Sequence, residues 1–328
     1  MKFFHSLLCT ALAGVVVCGL PCVANAYQLE VLTTAGLYAL LALGLNIIVG
    51  FAGLLHLGYA AFFAIGAYTY GLLNVHLGVP FWAGLPIATV VAGGCGVALG
   101  IPAVRVRGDY LAIVTLGFGE IVRITFTNLE RWTGGPNGLL GIDHPVLWIP
   151  GQGRWDFGVA SAPYYYLLVL MVAGVAVVCT RLGRSRIGRA WAAIREDELA
   201  ASCAGINTFH LKLLAQGCGA SIAGAAGAIF AAKQGTITPD SFDFMLSVML
   251  VAMIVLGGLG SVGGAIVGAL VLGTLPEWLR GLEQSRMLVF GVVMIAMMRL
   301  RPQGLLGTAQ IRQELRASEE TARDAEPA

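Results

Sequence analysis

The chain has 328 residues, of which 57% are hydrophobic and only 12% charged, and its mean hydropathy is +0.80. Soluble domains carry about 25% charged residues, so this composition excludes an ordinary soluble protein. The formal net charge of +2 excludes little by itself, because the positive residues are unevenly placed.

From the N-terminus onward, apolar runs recur near the roughly 20 residues that cross a hydrocarbon core as a helix. The short alternating strands of a membrane barrel are absent. The fold class is therefore an all-α polytopic membrane protein with about ten transmembrane helices. The predicted spans lie near 3–22, 29–50, 54–75, 81–103, 110–128, 163–180, 213–232, 243–257, 262–280 and 287–300. The first, followed by Ala24-Asn25-Ala26, imitates a cleavable secretory signal, but its apolar run is longer than the usual core of one. An uncleaved first span is expected. The pair 243–257 and 262–280, split at Gly257-Gly258-Leu259-Gly260, also reads as one broken segment.

Orientation follows from basic residues in loops, which favour the cytoplasmic side. With the N-terminus inside, strict alternation puts fourteen Lys and Arg residues on the inner side and five on the outer, with Arg123 inside a span. Both termini are then cytoplasmic. Trp82, Tyr164-Tyr165-Tyr166 and Trp278 fall at outer span ends, where amphipathic rings favour the interface. Spans two to five and seven to ten have opposite topology around span six. Each block carries a Gly-punctuated stretch, Gly50-Phe51-Ala52-Gly53 and Gly257-Gly258-Leu259-Gly260, and an inverted repeat of helix blocks is expected. The permease domain covers 1–307, with a charged cytoplasmic tail at 308–328.

Few polar side chains fall in or beside spans. Asn46 and His56 flank the first Gly-rich turn. Glu120 and Arg123, three residues apart, share one helix face and are close enough to pair. An unpaired charge at mid-membrane costs roughly 2.5–3.5 kcal/mol on insertion scales, so mutual neutralisation is the plain reading. Lining of a translocation path by Asn46, His56, Glu120 and Arg123 is the functional one.

The outer loop 129–162 begins with Thr133-Gly134-Gly135-Pro136-Asn137-Gly138, residues that specify a tight, irregular backbone. It carries Trp132, Trp148 and Trp155, and an ordered docking surface including Trp132, Gly134, Gly135 and Asn137 is expected.

Residues 181–212 form a charged island with six basic and three acidic residues between two apolar runs. Gly188 to Glu196 reads as a short helix with Trp191 and Ile194 on one face. Asp197 is placed to cap a second helix, Glu198 to Ala204, and Gly205 to stop it. A basic segment held by anionic membrane lipid is the bland alternative. It does not require the Glu196-Asp197-Glu198 cluster or the Gly stop, so docking of a cytoplasmic partner is the expected role.

No catalytic set, phosphate-binding loop or metal-ligand cluster occurs, and no nucleic-acid module. The seven Cys residues read mostly as small apolar packing groups. No cofactor is expected on this chain. If ATP drives it, another chain must bind the ATP.

Several stretches resemble the branched-chain amino-acid ABC transporter permease family, and within it the LivM-type subunit. They are GFAGLLHLGYAAFFAIGAY (50–68), RVRGDYLAIVTLGFGEIVRI (105–124), TGGPNG (133–138), IGRAWAAIREDELAASCAGIN (187–207), GGLGSVGGAIVGA (257–269) and RPQGLLG (301–307). The resemblance implies a bacterial inner-membrane importer of branched-chain amino acids. It implies a second permease subunit as heterodimer partner, two cytoplasmic ATPase subunits and a periplasmic substrate-binding protein. It assigns ATPase coupling to Arg189, Trp191, Arg195, Glu196, Asp197, Glu198 and Gly205. One departure stands out against importers of another class, which carry Glu-Ala-Ala three residues before a Gly. Here Leu199-Ala200-Ala201 has that spacing to Gly205, and Glu198 comes one position early. The alternatives are a permease for another small amino acid, amide or urea, and a self-sufficient ion-coupled carrier.

Overall fold

The computed structural model describes residues 25–278 apart from 105, 107, 150–152 and 159–160, together with 21, 291, 292, 295, 299 and 304–306. The predicted spans 3–22 and 287–300 and the tail 308–328 lie outside the described residues, save for isolated positions.

The other eight spans each coincide with a helix. These are α1 (Ala26–Leu45), α2 (Tyr59–Leu77), α3 (Phe81–Ala103), α4 (Asp109–Asn128), α6 (Ser161–Arg184), α9 (Thr208–Gln234), α10 (Phe244–Gly257) and α11 (Val262–Trp278). Among the described residues seven helical segments are long and apolar enough to cross a membrane, and Val262–Leu275 is a shorter apolar helix. α1 does not stop at Leu45. It runs on as a π-helical turn, Asn46–Phe51, with a wider backbone spacing (Ala52 N donates to Ile47 O). Such turns are frequent at functional sites. Residues 53–58 then carry the chain to α2 without helix, so the expected span 54–75 begins five residues late.

The bundle is organised around α9. It packs most closely against α3 and α2, while α1 packs on α11 and α6. α9 can be central because small residues line it: Gly217, Gly219, Ala220, Ala223, Gly224, Gly227 and Ala228. At the crossing of α2 and α9 a Cβ on Gly66 would collide with the Gly224 backbone. Close backbone approach of this kind is how membrane helices gain dispersion contacts where no hydrophobic drive operates between them. An ion pair from Lys233 to Glu30, 2.6 Å, ties the end of α9 to the start of α1.

The loop 129–162 holds α5 (Glu130–Thr133), a 3₁₀ turn (Gly135–Asn137) and two small antiparallel pairings. β1 (Leu139–Leu140) pairs with β4 (Thr236–Ile237), and β2 (Val146–Ile149) with β3 (Gly153–Asp156). β1–β4 pins this loop to the α9–α10 connection, which also contains the 3₁₀ turn Pro239–Phe242.

The aromatic expectation needs a correction. Tyr164 and Tyr165 are buried, and Tyr164 Oη donates to Ala232 O at 2.8 Å. Only Tyr166 of that run is exposed. Trp82 is exposed, with its indole donating to Val146 O. The side chain of Trp278 lies outside the described residues.

Candidate functional site

The charged island folds as two short helices, α7 (Arg186–Glu196) and α8 (Glu198–Cys203). The flanking membrane helices reach into it: α6 continues to Arg184 and α9 starts at Thr208, leaving a compact knob of residues 185–207. Ser185 caps α7, its hydroxyl accepting from Gly188 N, which starts the helix two residues before the expected Gly188. Asp197 caps α8 as expected, its carboxylate accepting from Leu199 N at 2.8 Å and Ala200 N at 3.1 Å. Such a cap contributes about 1 kcal/mol. Gly205, at φ +82°, closes the helix. Its amide donates to Ser202 O and that of Ile206 to Ala201 O, the paired bonds of a left-handed helix stop.

The knob is two-sided. Gly188, Trp191 and Ile194 face inward on α7. Trp191 has no exposed surface, and its indole donates to Leu211 O at 2.7 Å. It therefore anchors the knob on α9 from beneath and is not part of the presented surface. Glu198 also turns inward, pairing at 2.6 Å with the buried Lys212. Arg189, Glu196, Asp197 and Gly205 are exposed, and Arg195 is partly so. Leu199, 61% exposed, joins them at the tip, a surface residue that the acidic cluster beside it obscured in the sequence. Cys203 is exposed too, unlike the buried Cys179, so it departs from the packing role expected of the cysteines.

Beneath the knob, the end of the α1 π-turn and the α10–α11 connection meet. The Arg195 guanidinium donates to Gly50 O at 2.7 Å, and Gly260 N donates to Asn46 Oδ1 at 2.9 Å. A cavity of about 400 Å³ opens here, lined by Phe51, Gly183, Arg184, Arg189, Arg195 and Glu196 among others.

The four residues expected along a path have different partners. Asn46 is buried and engaged with Gly260. His56 is buried against Tyr59 and Phe62, with ring centroids 6.3 and 5.4 Å away, and neither ring nitrogen has a hydrogen-bond partner among the described residues. Buried polar atoms are normally paired, and this imidazole is an exception among the described residues. Glu120 and Arg123 do pair, with Arg123 Nε 3.1 and 3.2 Å from the two carboxylate oxygens. Arg123 Nη1 also reaches Asp240 at 3.2 Å in the turn before α10. Asp240, 117 residues away in sequence, carries no local signal of that contact.

In the loop 129–162, Trp132 is 58% exposed and edge-on to His76. Gly134 and Asn137 are exposed, whereas Gly135 is buried. Thr133 Oγ1 donates within this turn to Phe126 O at 2.6 Å, and Gly134, Gly135 and Gly138 all have positive φ. No group of three or more metal-ligating side chains occurs among the described residues.

Residues 27–298 match the family of branched-chain amino acid transport system permease components. The chain is 43% identical over 321 residues to the high-affinity branched-chain amino acid transport system permease protein LivM of Salmonella typhimurium, covering 93% of this chain and 74% of that one. It is 44% identical over 303 residues to LivM of Escherichia coli, covering 87% and 71%. Similarity to the Escherichia coli permease protein LivH is lower, 27% over 297 residues, covering 85% and 94%. No solved structure matches.

Proposed function

The chain belongs to the branched-chain amino acid transport permease family, and on that premise we propose that it forms half of the membrane path of an ABC importer for hydrophobic amino acids in the bacterial inner membrane. The other half is a second, different permease subunit. Two ATPase subunits sit on the cytoplasmic side, one of them on the knob 185–207, and a periplasmic binding protein delivers substrate to the outer loop around Trp132, Gly134, Gly135 and Asn137. The chain crosses the membrane ten times with both termini cytoplasmic. Its helix blocks form an inverted repeat, supported by the approach of the Gly50–Gly53 and Gly257–Gly260 stretches to one another.

The observation that carries this reading is the two-sided knob. Its inner face is locked by Trp191 and the Glu198–Lys212 pair, while its outer face presents Arg189, Glu196, Asp197 and Leu199. A loop held only by lipid charge needs neither the lock nor two separate helix caps. The apolar faces of α3, α4 and α6, with Val90, Tyr110 and Leu170 each at least 70% exposed, are open to lipid and to the second permease alike. Transport then proceeds by population shift: ATP binding must favour one of two arrangements of the spans, and the knob carries that preference into the bundle. Capture is delegated to the binding protein, so the path itself needs few polar groups.

Reconstitution tests this. Leucine uptake into vesicles should need this chain, the second permease, the ATPases and the binding protein together. Uptake by the chain in vesicles without any ATPase would establish an ion-coupled carrier instead.

A further inference from the structure

Four stretches far apart in sequence converge on one small volume: the π-turn of α1, the last turn of α7, the α10–α11 connection and residues 304–306. Arg195 is at the centre. Its guanidinium donates to Gly50 O, a carbonyl at the C-terminal end of α1. Carbonyls there lack partners within their own helix, and a cation is favoured by the helix dipole. The stem of Arg195 lies on Gly53, where a Cβ would stand 2.8 Å from Arg195 Cγ. The same Nη1 approaches Gly260, 3.4 Å from where a Cβ would be.

Asn46 closes the circuit from inside the π-turn, taking the Gly260 amide on its side-chain oxygen. A Cβ on Gly50 would collide with that oxygen and stand 2.6 Å from Gly260 N. On the far side, Leu305 N donates to Leu256 O and Leu306 N to Gly257 O, both at 2.9 Å, so the end of α10 is held as well.

Given the importer reading above, we propose that Arg195 is a positioning residue that joins the ATPase-docking knob to both helix breaks, with Asn46 as its second link. The knob cannot shift along α7 without moving the Gly50 carbonyl, and the π-turn cannot shift without moving Gly260. Arg195 therefore sets how much of the knob's displacement reaches α1 and α10. It does so without touching substrate or nucleotide.

The test uses the assembled complex in vesicles and measures leucine uptake and ATP hydrolysis on the same preparation. Arg195→Gln should lower uptake about tenfold or more, within the usual range of coupling between sites, while hydrolysis changes about twofold at most. Asn46→Ala should act in the same direction. Combining Arg195→Gln with Asn46→Ala should be no worse than Arg195→Gln alone, as for members of one chain of contacts. If Arg195→Gln fails to assemble, Arg195→Lys, which keeps a donor, is read by the same ratio of uptake to hydrolysis. Uptake and hydrolysis falling in proportion, an unchanged ratio, or simple additivity would overturn the proposal. If the unmutated complex takes up leucine without hydrolysing ATP, the importer reading itself fails, and that outcome is distinct from all of these.

Discussion

Two polar regions of this chain differ in what their charges hold. At the knob, Arg195 and Asn46 bond to backbone groups at helix breaks, and Trp191 bonds to the Leu211 carbonyl. In the second half of α4, Glu120 and Arg123, with Asp240 from the turn before α10, bond chiefly to one another, and their side chains are 41%, 30% and 82% exposed. A side chain that satisfies a backbone group at a break fixes the path of the chain, so its loss moves segments. Charges within a span that satisfy each other offset the roughly 2.5–3.5 kcal/mol that an unpaired charge costs at mid-membrane, without fixing the path of the chain. On the proposed reading the first region transmits displacement, and the second balances charge.

Breaking the first region at its anchor should have the largest effect. Trp191→Ala removes a fully buried indole, a change that costs about 3–5 kcal/mol in packed interiors. The chain should still insert, and the ATPase subunits should be lost on purification through a tag on the permease. Retention of stoichiometric ATPase would mean that the knob's seat does not depend on its inner face.

Gly205→Val comes next. The space around Gly205 is open, but its φ of +82° suits no β-branched residue, and strain of this kind costs on the order of 1–3 kcal/mol. Uptake should fall with normal membrane insertion. Gly205→Asn, which tolerates that backbone, should fall less, and equal uptake from the two variants would remove the helix stop from the mechanism.

Asp197→Ala deletes the α8 cap and should reduce uptake more modestly, by the effect of about 1 kcal/mol on one short helix. Amide exchange at Leu199 and Ala200 should rise. Unchanged exchange there would show that the cap is redundant.

The smallest effect belongs to the second region. Replacing Glu120 and Arg123 together by Gln should leave assembly intact and change uptake about twofold at most, because the double change removes both charges at once and leaves neither unpaired in the span. A large loss would make them path residues and erase the contrast between the regions.

The sequence made some of this legible and not the rest, for physical reasons. Asp197, Gly205 and the Trp191–Ile194 face are local signals, since capping, positive φ and helical periodicity act over a few residues, and all three appear as expected. The start of α7 was missed by two residues because Ser185 caps it from inside the basic run. The direction in which Trp191 points was not legible, because a residue on an amphipathic face reads the same whether it meets its own chain or a partner. Tyr164 shows the same limit: its place at a span end suggested the interface, while packing against α9 buries it. The contact of Arg195 with Gly50 joins residues 145 apart, and only the folded bundle brings them together. The two Gly-rich stretches were visible as a hint of repetition, and their meeting was not.

Cys203 offers the most direct measurement of whether the knob is the ATPase seat. It is exposed on α8, two residues before Gly205. With the six other cysteines of the chain replaced by Ser or Ala, a membrane-impermeant thiol reagent can be applied from the cytoplasmic side to the permease pair alone and to the assembled complex. The account predicts rapid labelling of Cys203 in the pair and strong protection once the ATPase subunits bind. Equal labelling in both states would contradict it.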